Sequence, residues 1–288
     1  VTRLALYDRV AEETASIVIR RYSTSFGLAA RLLETGVRQH VENIYALVRV
    51  ADEIVDGPAM EAGLDAVGAS RALNELERET ELAMESGFSA NLVVHAFALT
   101  ARETGFGSEL TTPFFESMRT DLSATVHDQE SFDRYVYGSA EVVGLMCLRT
   151  FLHGRDVSAP DRERFEVGAR SLGAAFQKVN FLRDLAADFE ALGRSYFPGI
   201  RVESFSEADK IRLLDDIDAD LRVSAAVIPD LPAGSRRAVA LAQGLFAELA
   251  ARLRATPSDK LVAARIRVPN PVKLRIAAAA AIGRTPRA

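Results

Sequence analysis

Two aspartate pairs, Asp52/Asp56 and Asp184/Asp188, each stand four residues apart inside stretches that read as helix. Four residues is about one helical turn, so both carboxylates of a pair project from one face. Like charges at that spacing repel by roughly 0.2–0.5 kcal/mol in an isolated helix. Within an apolar run such a pair needs a compensating partner, and a hard cation supplies one. Mg²⁺ takes oxygen ligands, keeps waters, and is typically held by one or two carboxylates plus substrate phosphates; Mn²⁺ accepts the same donors. Each pair has an arginine nearby, Arg49 and Arg183, and the second adds two amides at helical spacing, Gln177 and Asn180. Asn180 precedes Asp184 by one turn, which makes its amide oxygen a fifth candidate ligand. Arg49 shares the face of Asp52, and its planar donor fork suits phosphate. Tyr45 lies one turn before Arg49 on that face, as a phosphate partner or a wall of a cavity. Glu53 projects about 100° away from Asp52 and is read as a non-ligand.

The spacing alone is not diagnostic. Asp216/Asp220 repeats it, and Glu77, Glu81 and Glu85 repeat it in glutamate. Arg212 stands where the second pair has Asn180, and the surroundings are densely charged, so these groups read as solvated helix faces.

The elements that must hold these residues are helical almost throughout. Apolar periodicity predicts helices at about 2–21, 36–56, 59–86, 90–103, 110–127, 131–154, 160–194, 206–228, 232–255 and 259–283. Gly57-Pro58 closes the helix of the first pair, and Ser206-Glu-Ala-Asp209 opens another as a capping box. With no repeat, flexible linker or low-complexity tract, residues 1–288 read as a single all-α domain. Hydrophobic content of 48% with 26% charged residues is ordinary for a globular chain. The net charge of −5 and the lack of a basic, aromatic-flanked run argue against a nucleic-acid partner. Cys147 is the only cysteine, so no internal disulfide forms, and it reads as a small buried hydrophobe. His40, His95, His127 and His153 show no metal-ligand spacing and read as surface or satisfied core. The first residues lack the apolar run of a signal peptide, and a cytoplasmic location is expected. Ile276–Ile282 is too short to span a bilayer. It reads as an ordinary Ala-rich helix, with a peripheral membrane contact as the alternative because Lys273, Arg275, Arg284 and Arg287 flank it.

Four segments, in order, give the chain a family resemblance from about Tyr7 to Arg275: Tyr22-Ser-Thr-Ser-Phe26, Tyr45 to Pro58, Phe132 to Met146, and Gln177 to Pro198 with its Gly-Arg-Ser-Tyr-Phe-Pro tail. The chain resembles the squalene and phytoene synthases, enzymes that join two prenyl diphosphates head to head. The wording Asp-Glu-Ile-Val-Asp-Gly-Pro is closest to the phytoene synthase branch. The resemblance implies an orthogonal helical bundle of the isoprenoid synthase type with a central apolar cavity. It implies Mg²⁺ on Asp52, Asp56, Asn180, Asp184 and Asp188, and diphosphate contacts from Tyr22, Ser23, Thr24, Ser25, Tyr45, Arg49, Gln177, Arg183 and Tyr196. Arg183, being adjacent to Asp184, is expected to point partly away. Arg265, in Arg265-Ile-Arg267-Val-Pro269, is a late basic candidate. Ala140, Val143, Gly144 and Leu145 match a cavity-lining helix.

Two departures from the family stand out: Glu141 replaces a frequent glycine and must find solvent or a partner, and Phe246 aligns with a frequent tyrosine. The implied reaction is condensation of two geranylgeranyl diphosphates to phytoene without NADPH. The alternatives are a farnesyl-using squalene or dehydrosqualene type of synthase and a non-catalytic scaffold of the same fold.

Overall fold

The computed structural model describes residues 2–55, 57–123, 126–192, 196–262 and 265–283, the side chains of 186–192 excepted. Asp56, the Asp188 side chain, Arg284 and Arg287 therefore lie outside the described residues. In chain order the helices are α1 (Arg3–Tyr22), α2 (Ser25–Ala30), α3 (Thr35–Val55), α4 (Pro58–Glu61), α5 (Ala66–Ser86), α6 (Leu92–Thr104) and α7 (Ser108–Asp121). There follow α8 (Gln129–Val136), a π-helical turn (Tyr137–Glu141) that runs into α9 (Val142–Leu152), and the long α10 (Ala159–Leu192). The chain ends with α11 (Glu207–Val227), α12 (Ala233–Ala255), α13 (Ser258–Leu261) and α14 (Asn270–Ala281). No strand occurs among the described residues, so the all-α expectation is met.

Two apolar cores flank the space between α3, α9 and α10. One gathers Ile44, Leu47, Phe97, Phe114, Phe115 and Met146 from α3, α6, α7 and α9; the other gathers Val179, Leu182, Leu214, Ile217 and Leu253 from α10, α11 and α12. The approach of α9 and its π turn to α10 depends on two glycines. A Cβ on Gly144 would lie 2.5 Å from the Ala169 carbonyl oxygen, and one on Gly173 would lie 2.5 Å from that of Ala140. Both distances are far inside van der Waals contact, so only hydrogen fits at either crossing point.

Local chemistry explains where the helices depart from the sequence reading. The predicted helix 59–86 divides because Gly63 takes φ +93, a left-handed conformation, and Asp65 then caps α5 by accepting from the Gly68 amide. The predicted helix 259–283 is interrupted between α13 and α14; Pro269, the N-cap of α14, and Pro271, in its first turn, have no amide to donate to a ladder running on from α13. The capping box at Ser206 and Asp209 forms with both reciprocal bonds. The Ala-rich α14 packs through Ile276, Ala277 and Ala280 against Leu241 and Leu245 of α12, leaving Leu274 and Ile282 exposed. No described helix is long and apolar enough to cross a membrane.

The histidines follow the bland reading with one exception. His95 is fully buried, takes the Ser89 amide on Nδ1 (3.3 Å) and holds Asp8 through Nε2 (2.8 Å). His40 meets Thr100 at 3.1 Å. His127 is buried with no hydrogen-bond partner at Nδ1 among the described residues, and burial lowers its pKa. Cys147 reaches the cavity described next, yet burial pushes its thiol up to about 12, so it stays protonated and unreactive at neutral pH.

Candidate active site

A cavity of about 570 Å³ runs between α2, α3, the α8–α9 helix, α10 and α12. Its walls are mainly apolar, with Ile44, Val48, Val143, Leu148, Phe165 and Phe176 among them. Arg49, Asp52, Asn180, Arg183, Asp184 and Arg265 also line it, so both aspartate segments open onto one space. Asp52 is near the end of α3, flanked by the buried Ala51 and Val55; Asp184 projects from α10 while Leu182 and Leu185 are buried. Both helices are amphipathic at these points, and their apolar stripes fix which way the carboxylates face.

Asp184 is held by two arginines. Arg183 donates to it from Nε (2.9 Å to Oδ1) and from Nη2 to Oδ2. Arg265 approaches the same carboxylate with Nε 2.8 Å from Oδ1 and Nη2 3.2 Å from Oδ2. Arg183 therefore does not point away: its long side chain folds back along α10 onto its neighbour. Arg49 is ion-paired with Glu53 rather than Asp52, because the four-residue step brings that pair together. Its guanidinium also lies 4.6 Å from the centre of the Tyr22 ring, a cation–π contact.

Tyr45 is half-buried in the wall near Ser23, and burial raises its pKa, so the phenol remains a donor. Ser23 accepts from the Phe26 amide (3.0 Å) and stabilises the start of α2. Tyr22, Ser23, Thr24 and Ser25 are not among the cavity-lining residues; they adjoin it through Arg49, Tyr45 and Phe26. Gln177 lines the cavity and donates to Ser139 (3.2 Å). Among the described residues, no group of three or more His, Cys, Asp or Glu side chains is placed to hold a metal ion. Two carboxylates with an amide oxygen are what Mg²⁺ uses when substrate phosphates and waters complete its shell.

Sequence reading missed Asp121 and Tyr135, which line the same cavity with Tyr196. The buried carboxylate of Asp121, the last residue of α7, accepts from the Tyr135 hydroxyl at 2.8 Å to each oxygen and from the Tyr196 hydroxyl at 3.4 Å. Tyr196 stacks on Phe181 with ring centres 4.0 Å apart and interplanar angle 8°. Tyr196 thus lines the cavity, with its hydroxyl turned toward Asp121. Asp121 is a single acid near a helix end, with no paired or periodic signal. Ser139 belongs to the π turn, which periodicity does not reveal.

The two departures from the family find partners. Glu141 accepts from Arg170 (2.6 Å), which crosses from α10. Phe246 stacks on Phe176 with centres 3.8 Å apart and packs near Phe26.

Asp216 and Asp220 lie outside the cavity, but a solvated face is an incomplete description of them. Both accept from Lys178 of α10, at 2.5 and 2.8 Å, and burial raises the Asp220 pKa against that pull. They are a helix-to-helix clamp. Asp216→Asn with Asp220→Asn is expected to leave turnover within about twofold of the parent while lowering stability by about 1–3 kcal/mol, since Lys178 is left poorly partnered. Urea unfolding beside a steady-state assay checks both halves of that expectation.

Comparison with known proteins agrees with the fold. The squalene/phytoene synthase family matches residues 19–272. A 15-cis-phytoene synthase of Paracoccus sp. is 28% identical over 257 residues, covering 84% of this chain and 81% of that protein. A 4,4'-diapophytoene synthase of Staphylococcus haemolyticus is 26% identical over 204 residues, covering 70% and 66%. A crystallised dehydrosqualene synthase superposes with a TM-score of 0.76 at 21% identity, over 95% of this chain and 96% of the other. Four ordered motifs, an all-helical bundle and a family match across most of the chain lead to one conclusion: this protein is a prenyltransferase belonging to the squalene/phytoene synthase family, whose members join prenyl diphosphates head to head.

Proposed function

We propose that the protein is a phytoene synthase, condensing two geranylgeranyl diphosphates through a cyclopropyl diphosphate, which ionises again, rearranges and loses a proton. The observation that carries this reading is that Asp52 and the Asn180–Asp184 segment line one mainly apolar cavity. Supporting the choice of branch are the Asp-Glu-Ile-Val-Asp-Gly-Pro wording and the phytoene synthases among the relatives. The diapophytoene synthase relative supports a farnesyl-using enzyme as the second reading.

A prenyl diphosphate reacts when its carbon–oxygen bond ionises, and the site must stabilise the charge that collects on the leaving diphosphate. Asp52, Asp184 and Asn180 supply hard oxygens for Mg²⁺, with Asp56 and Asp188 completing the two motifs; Mn²⁺ would suit the same donors. Bound there, the ion would act as a Lewis acid toward diphosphate oxygens. Arg49, Arg183 and Arg265 offer bidentate forks to the phosphates. Tyr45, kept protonated by its burial, donates a hydrogen bond nearby. Tyr22, Ser23, Thr24 and Ser25 position that corner, and Gln177 holds the π turn through Ser139. The phenyl and aliphatic walls exclude water that would quench an allylic cation.

Incubation of purified protein with Mg²⁺ and geranylgeranyl diphosphate is expected to yield phytoene, and NADPH should leave the product unchanged because the last cation loses a proton rather than accepting hydride. Chromatography of the extracted hydrocarbon reads the result. Product from farnesyl diphosphate alone, or a saturated central bond that appears only with NADPH, would establish the second reading instead.

A further inference from the structure

The arrangement around Asp184 carries a consequence for the order in which metal and diphosphate bind. Each of its oxygens faces two guanidinium nitrogens: Oδ1 has Nε of Arg183 at 2.9 Å and Nε of Arg265 at 2.8 Å, and Oδ2 has an Nη2 from each. A carboxylate offers about four lone-pair sites in all. Asp184 is therefore saturated by two forks, and direct ligation of a cation requires at least one fork to leave. The two positive charges also oppose a divalent ion at this point. The Asp184 side chain is 18% exposed and that of Arg183 is 20% exposed, so water screens these charges only in part. Arg265 is the fork placed to move. Its side chain is 50% exposed, and it stands in the non-helical segment between α13 and α14.

We propose that Arg183 and Arg265 form a lock on Asp184 that the substrate diphosphate releases. The anion draws the guanidinium groups onto its own oxygens and frees the carboxylate for metal. Metal and diphosphate then bind each more tightly in the presence of the other, and the coupling must be equal in both directions. Arg265 is a positioning residue in this scheme as well as a diphosphate contact. The proposal rests on the assignment of Asp184 as a metal ligand made above.

The lock predicts changes of opposite sign from one substitution. Arg265→Gln should tighten Mn²⁺ binding by at least about fivefold when no diphosphate is present, and should weaken metal-free binding of inorganic pyrophosphate by a similar factor. Electron paramagnetic resonance of free Mn²⁺ measures the first with the full chain, and calorimetry in chelator measures the second. Arg183→Gln should shift both in the same directions, which guards against a single variant that folds poorly. Loss of a merely structural contact would weaken both ligands. Asp184→Asn separates the two levels of the reading. If it weakens Mn²⁺ binding while Arg265→Gln and Arg183→Gln leave it unchanged or weaker, the lock is wrong and the metal assignment stands. If Asp184→Asn has no effect on Mn²⁺, the metal assignment fails and the lock fails with it.

Discussion

Asp52→Asn and Asp184→Asn are each expected to lower Mg²⁺-dependent turnover by at least about two orders of magnitude, or ~2.7 kcal/mol of transition-state stabilisation. Asparagine keeps the shape and one oxygen but removes the negative charge that draws the cation onto the departing diphosphate. The fold should survive at Asp184, because asparagine keeps one accepting oxygen for the guanidinium groups and the Arg265 side chain is 50% exposed. Single-turnover assays with circular dichroism on the same samples separate lost chemistry from lost fold. Near-normal rates in both variants would remove these carboxylates from the mechanism.

The largest expected loss of stability lies far from the chemistry. Lys210 of α11 has a side chain only 1% exposed, yet it is a charged group. Its ammonium donates to the carbonyls of Arg254 (3.1 Å) and Thr256 (2.6 Å) at the end of α12 and pairs with Glu207. A helix C-terminus leaves carbonyls without intrahelical donors and favours a cation there. Lys210→Met keeps the apolar stem and deletes these bonds, leaving carbonyls unsatisfied beside the core. A loss of about 3 kcal/mol is expected. It should appear as a lower urea midpoint at constant m, because the surface exposed on unfolding barely changes. A midpoint shifted by less than a third of that amount would show that water reaches and satisfies those carbonyls.

Helix existence was legible in the sequence where apolar periodicity was long, as in α3, α5, α10, α11 and α12. Boundaries were lost where one residue overrides a pattern. Gly63 breaks a run that periodicity carries through, and Pro269 with Pro271 does the same late in the chain. The short α2 was hidden because Ser-Thr-Ser reads as a connecting segment, although Ser23 is what caps its first turn.

At the site, spacing put Asp52 and Asp184 on helices, and the structure has both lining a shared cavity. It could not place long side chains. Arg183 folds onto the adjacent residue, a choice of rotamer and charge against helix phase, and Arg49 takes Glu53, one turn on, in preference to Asp52. Asp121 was illegible for a different reason. Its meaning comes from Tyr135 and Tyr196, 14 and 75 residues away in the chain, whose hydroxyls converge on it only after folding.

The π turn between α8 and α9 means that this continuous rod contains two angular frames, offset by the one surplus residue. An α-helix advances about 100° per residue, so a chain shortened by one position within Tyr137–Glu141 would regain uniform winding by turning everything before it through that angle. Such a deletion should swing Tyr135 off Asp121 and carry Ser139 away from Gln177, while Val143 and Gly144 keep their seats against α10. The surplus residue thus acts as a phase shifter. It lets one rod present a polar edge to one wall of the chamber and a glycine notch to another, which a uniformly wound helix of the same sequence would not align together.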